Sequence, residues 1–109
     1  MAYIRRVVFI ETPVFTKQVL ELLSDYDYSD FQHYLAQNPE AGDVIKDTGG
    51  LRKIRWKTKG KGKSGGVRVI YFYLPSVIQI RLLLIYKKGV KDDLTSGERK
   101  MLRSINANW

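Results

Sequence analysis

The strongest constraint on the fold lies in the second half of the chain, where three β-rich runs follow one another: Leu51 to Lys57, Val67 to Leu74, and Val77 to Tyr86. Branched and aromatic residues dominate each run, and turn-forming residues separate them. The second connection is only Pro75-Ser76. The first is a run of lysine alternating with small residues, KTKGKGKSGG at 57 to 66. A parallel pairing needs a crossover of about a dozen residues or more, so connections this short fold the runs into an antiparallel meander. Alternation then assigns faces: Lys53, Arg55 and Lys57 share one side of their strand, and Ile54 and Trp56 the other. The apolar pair must face whatever covers the sheet.

The covering elements come earlier in the chain. Arg6 to Glu11 reads as a short strand, closed by Thr12-Pro13, a helix N-cap followed by proline at the first helical position. Phe15, Val19, Leu22 and Leu23 then recur at the spacing of one helix face. A second helix is expected from Ser24 or Asp25, burying Tyr28, Phe31 and Leu35. It stops at Asn38-Pro39, because proline disfavours helical backbone in the residue before it. Thr95 and Glu98 form a capping-box pattern for a last helix, with Met101, Leu102 and Ile105 apolar and Arg99, Lys100 and Arg103 polar. The order β-α-α-β-β-β-α predicts one α+β domain over residues 1 to 109. Its sheet is four-stranded and antiparallel-rich, with an N-terminal helical hairpin packed on one face and a C-terminal helix.

Several function classes are excluded. The lysine loop ends in Gly62-Lys63-Ser64, the last three positions of a Walker phosphate loop. However, Lys57 stands where the first glycine belongs, and strand-like residues follow where a helix should begin. Cysteine is absent and His33 is the single histidine, so there is no disulfide framework, thiolate site or zinc site. Asp43, Asp47 and Asp92-Asp93 are too sparse for a two-metal nuclease, and no metal or other cofactor is expected. The uncharged run from Val69 to Ile80 is broken by Pro75 and Gln79 and falls short of the ~20 residues of a membrane span. The apolar run after Arg5-Arg6 is too short for a secretory core. A cytoplasmic protein with no membrane association is the expectation.

Charge narrows the partner class. The net charge is +8, but between Thr48 and Lys91 there are twelve Lys or Arg and no Asp or Glu, against seven basic and eleven acidic residues elsewhere. A single-sign field confined to one part of a small domain attracts polyanions. Cations two apart on one strand face stand about 6.5 Å apart, and at an effective dielectric of about 20 each such pair costs about 2.5 kcal/mol. An anion seated among Lys53, Arg55 and Lys57 relieves that repulsion. Arg68 opens the next strand, the loop lysines Lys59, Lys61 and Lys63 lie between, and Lys87, Lys88 and Lys91 follow the third strand. Trp56 and the tyrosines at 71, 73 and 86 have the chemistry to stack on bases.

At GDVIKDTGGLRKIRWKTKGKGKSGGVRVIYFYL and again at LLLIYKKGVKDDL, the chain resembles the RelE/HigB-type toxins of bacterial toxin-antitoxin pairs, over essentially its whole length. The resemblance implies a ribosome-dependent mRNA endoribonuclease that inhibits translation and is neutralised by a cognate antitoxin. It also implies chemistry without a metal, in which an RNA 2′-hydroxyl attacks the adjacent phosphate. The family's basic strand falls on Arg52-Lys53-Ile54-Arg55-Trp56, which implies catalytic roles for Lys53 and Arg55. Its phosphate-stabilising arginine falls on Arg68, and the lysine after its last strand falls on Lys88. Gly89 replaces the arginine that follows, and Thr95 stands where the family has a late tyrosine, leaving that role to Lys57 or Tyr73. Arg52, Lys59, Lys61, Lys63, Tyr73, Lys87 and Lys91 are the expected RNA- or ribosome-binding residues. Two other readings share the charge map: a ParE-like gyrase poison of the same architecture, and a non-catalytic RNA-binding module held by counterion release.

Overall fold

The computed structural model describes residues 6–58, 66–90 and 93–109. Its elements are β1 (Val8–Glu11), α1 (Pro13–Leu22), α2 (Asp25–Gln37), β2 (Asp43–Val44), β3 (Arg52–Trp56), β4 (Val67–Leu74), β5 (Gln79–Lys87) and α3 (Ser96–Ala107). The α+β class and the meander stand as expected. The sheet, however, has five strands in the order β1-β5-β4-β3-β2, not four. The additional strand is β2, two residues inside a stretch that reads as turn. It pairs Asp43 with Lys53 and Val44 with Arg52. All pairings are antiparallel except β1 with β5, which are parallel because the α1–α2 hairpin and the meander lie between them.

Local chemistry sets the helix ends. Thr12 caps α1: its hydroxyl accepts from Phe15 N at 3.1 Å and donates to Leu83 O at 2.8 Å, fastening the helix start to β5. Ser24 accepts from Asp27 N at 3.0 Å at the start of α2. The capping box of α3 is formed as read, with Thr95 N donating to Glu98 Oε1 at 2.9 Å and Glu98 N to Thr95 Oγ1 at 3.1 Å. Pro75–Val77 form a short 3-10 turn and Ile78 is left-handed, so β5 starts at Gln79 rather than Val77.

The strands alternate between two cores. One face buries Ile54, Val67, Val69, Tyr71, Ile80, Leu82 and Ile85 against Phe15, Val19, Leu23, Phe31 and Leu35 of the helical hairpin. On the other face Leu51, Ile70, Leu83 and Tyr86 pack with Leu94 and Leu102, so α3 covers the side opposite the hairpin. Helices thus lie on both faces. In β5 a bulge shifts the alternation: Ile70 pairs with Leu84 and Tyr71 with Leu82, leaving Leu83 as the extra residue. The uninterrupted Leu82-Leu83-Leu84-Ile85 run is the sequence trace of that irregularity.

Candidate nucleic-acid site

The sheet face shared with α3 carries the candidate site. Arg55 pairs with Arg68 and Arg68 with Tyr86, so two guanidinium groups and a phenol form one row across β3, β4 and β5. A step along the same face, Lys53 pairs with Ile70. Lys57 follows Arg55 at the exposed end of β3, and Lys88, also exposed, follows Tyr86 with its N–H donating to Gly66 O at 3.0 Å. By register and alternation the face carries Lys53, Arg55 and Arg68, and Lys57 and Lys88 come next in the chain beyond the ends of β3 and β5.

Burial distinguishes these cations. Arg55 is exposed, whereas Arg68 is only 9 % exposed, and its Nη1 has no hydrogen-bond partner among the described residues. A buried charged donor left unmatched is costly, and an anion on that nitrogen would remove the cost. Tyr86 is buried beside Arg68. Burial pushes its phenol above the ordinary value, and the positive charge of Arg68 opposes the shift. Lys53 faces Asp93 at 3.5 Å. The Asp93 carboxylate accepts from Leu94 N at 3.0 Å. That hydrogen bond first, and then the charge of Lys53, holds the carboxyl below its usual range.

Two expected binding residues lie elsewhere. Arg52 shares parity with Ile54 and so points to the hairpin face. There it donates to Glu40 O at 3.1 Å and Gly42 O at 2.8 Å and pairs with the Glu40 carboxylate at 3.7 Å. Tyr73 pairs with Ile80 and packs against the hairpin core, on the opposite face from Arg68 and roughly 17 Å along the strand at ~3.4 Å per residue. It cannot replace the missing late tyrosine. Lys87 pairs with Val67 and is exposed at the end of β5. Lys59, Lys61, Lys63 and Lys91 lie outside the described residues. Trp56 is half-buried, its ring 5.4 Å from those of Phe31 and Tyr34, which assigns it to the hairpin side. Sequence reasoning missed the position of Tyr86, because uninterrupted alternation from Ile80 puts it on the hairpin face and only the bulge turns it toward Arg68. It also missed Asp93, whose approach to Lys53 spans 40 positions of chain.

No family model matches the sequence. Among solved structures, a chain of the intact E. coli RelBE toxin–antitoxin complex superposes with a TM-score of 0.57 at 14 % identity, covering 75 % of this chain and 96 % of that one. A free-state mutant of the E. coli toxin RelE gives 0.59 at 12 % identity, covering 92 % and 96 %. The isolated E. coli RelE toxin gives 0.56 at 12 % identity, covering 92 % and 99 %. The neighbours are nearly spanned while their sequences differ at most positions, and what the two share is backbone architecture: this chain has the RelE-type toxin fold.

Proposed function

We propose that the chain is an mRNA endoribonuclease that acts in the ribosome, arrests translation and is neutralised by a cognate antitoxin protein. The observation that carries this reading is Arg68, a buried guanidinium with a spare donor, set in register between Arg55 and Tyr86. In the proposed reaction the 2′ oxygen of RNA bonds to the adjacent phosphorus while the bond from phosphorus to the 5′ oxygen breaks. One proton leaves the 2′-hydroxyl and one arrives on the departing 5′ oxygen. Negative charge grows on the two non-bridging oxygens, and preorganised cations aimed at them lower the barrier. Arg68 supplies a buried donor at the floor of the site and Arg55 an exposed one at its rim. Lys53, Lys57 and Lys88 add positive charge, and a set of cations is suited to phosphate rather than to holding a metal ion. Lys87, with the lysines at 59, 61, 63 and 91, would engage ribosomal or messenger phosphates. The RelBE neighbour is a toxin–antitoxin complex, which supports a protein antitoxin as partner.

The test is to incubate the folded protein with ribosomes and a translated message and to map the new 5′ ends. Cuts within codons are expected, falling about a hundred- to thousandfold in Arg68→Ala, the usual loss for one well-placed donor. Folding should survive, because the substitution removes a buried charge that has no acceptor on Nη1. Undiminished cleavage by folded Arg68→Ala would sink the assignment, and gyrase-dependent DNA breaks in place of RNA cuts would replace it.

A further inference from the structure

The chain leading into α3 sets a carboxylate against the cationic face, and its own backbone holds that carboxylate in place. Leu94 is buried with Leu51, Ile70, Leu83, Tyr86 and Leu102, and Arg99 Nη1 donates to Leu94 O at 2.8 Å. Asp93 precedes this anchor by one residue, and its Oδ1 accepts from Leu94 N at 3.0 Å. The same oxygen stands 3.5 Å from Lys53 Nζ, across 40 positions of chain. The helix does not need this carboxylate, because the reciprocal Thr95 and Glu98 bonds already satisfy its start and Asp93 lies outside them. Nor does the pair do much for stability: the Asp93 side chain is 73 % exposed, and an exposed ion pair contributes little. It even opposes attraction of a polyanion, since it adds negative charge to the surface that carries Arg55 and Arg68.

What the pair does supply is order in a long side chain. Lysine carries a point charge with three donors on a flexible four-carbon stem. Lys53 lies two residues along β3 from Arg55, roughly 6.5 Å at the rise of a strand, close enough for its ammonium to serve a phosphate seated at Arg68. A stem spread over many rotamers presents its charge there only part of the time, and a transition state gains most from donors already in place. One ammonium donor given to Asp93 leaves two for the phosphate. The Leu94 N–H first, and then the charge of Lys53, hold the Asp93 carboxyl below its usual range, which suits a fixed acceptor and not a base that must take a proton. We propose that Asp93 is a positioning residue, which holds the Lys53 ammonium beside the arginine row so that it meets the negative charge growing on the phosphate. The inference rests on the nuclease reading and adds to it a residue that acts through Lys53.

The test measures message cleavage by wild type and Asp93→Asn over a range of concentrations of translating ribosomes, which separates kcat from KM. Asn keeps an acceptor for Leu94 N, so the melting temperature should hold. Loss of the charge should lower kcat about three- to fivefold, near the upper limit for an exposed pair, with no rise in KM. A carboxylate that merely weakened the positive field would act the other way, and its removal would tighten RNA binding with kcat unchanged. In a Lys53→Met background the same substitution should change nothing, because the group it orients is gone. Asp93→Ser removes the charge with a smaller side chain and should give the same fall, which keeps the proposal testable if the Asn variant folds poorly. An unchanged or faster kcat in the folded variants, or an equal fall with and without Lys53, would overturn the positioning role and leave the nuclease reading intact. No cutting by the wild-type protein would overturn both.

Discussion

Arg52 and Arg68 are the same residue type on neighbouring strands, and their surroundings give them opposite uses. Arg52 spends its guanidinium on Glu40 and Gly42 and so fastens the segment after α2, while Arg68 keeps a buried donor in reserve. Neither use follows from the sequence reading: Arg52 stands among the expected RNA-binding residues although it has the parity of Ile54 and lies on the covered face, and the burial of Arg68 belongs to a face completed by Leu94 and by Leu102 of α3, distant along the chain. Tyr71 shows how tightly the fastened segment is built. Its hydroxyl accepts from Gly42 N at 2.9 Å and donates to Pro39 O at 2.9 Å. A Cβ on Gly42 would meet the ring at 2.8 Å, so only glycine lets that backbone approach. Tyr71→Phe is therefore expected to lower stability by about 1–3 kcal/mol, the usual cost of stranding buried polar groups. A denaturant midpoint equal to wild type would show that water replaces both bonds.

At the scale of elements, strong local signals were read correctly, and features set by pairing partners were not. The caps of α1, α2 and α3 lie where Thr12, Ser24 and Thr95 place them, because a cap is decided within four residues. β2 escaped notice because two residues carry no periodicity, and only the edge of β3 makes them a strand. The β5 bulge is likewise a property of two strands together, yet it decides whether Tyr86 joins the site. The β3–β4 pairing has its own fixed point at Gly66. There φ is +68°, and an added Cβ would lie 2.0 Å from Trp56 O, a backbone atom that cannot move away without shifting the strand. Left-handed backbone alone costs a non-glycine residue about 1–2 kcal/mol, and the overlap adds to that. Gly66→Ala should accordingly destabilise the protein by more than that amount and impair cleavage, because Trp56↔Val67 and Arg55↔Arg68 are the first pairs to lose register. Hydrogen exchange at these amides reports the change directly, and native-like protection there would contradict it.

The whole molecule combines a field of one sign with cores on both sides of the sheet, and these respond to pH in opposite directions. Net charge is +8 at pH 7 and vanishes near the sequence pI of about 9.8, so self-repulsion weakens as pH rises toward that point. Among the described residues Tyr28, Tyr71 and Tyr86 have phenols raised above the ordinary value of 10.0, in each case chiefly by burial. In Tyr28 the hydrogen bond to the Glu11 carboxylate adds to the shift. A phenol raised in the folded state retains its proton where the unfolded chain has lost it. Its contribution to stability is complete below 10.0 and is withdrawn as pH climbs from there toward the folded-state value. The melting temperature should therefore hold or rise up to about pH 9 to 10 and then fall steeply, with native tyrosine absorbance showing a fraction that ionises only as the protein unfolds. Tyr28→Phe removes one of these groups and should make the alkaline fall shallower. A fall of unchanged steepness in that variant would mean that Tyr28 does not contribute to the alkaline transition, and that the loss belongs to Tyr71 and Tyr86.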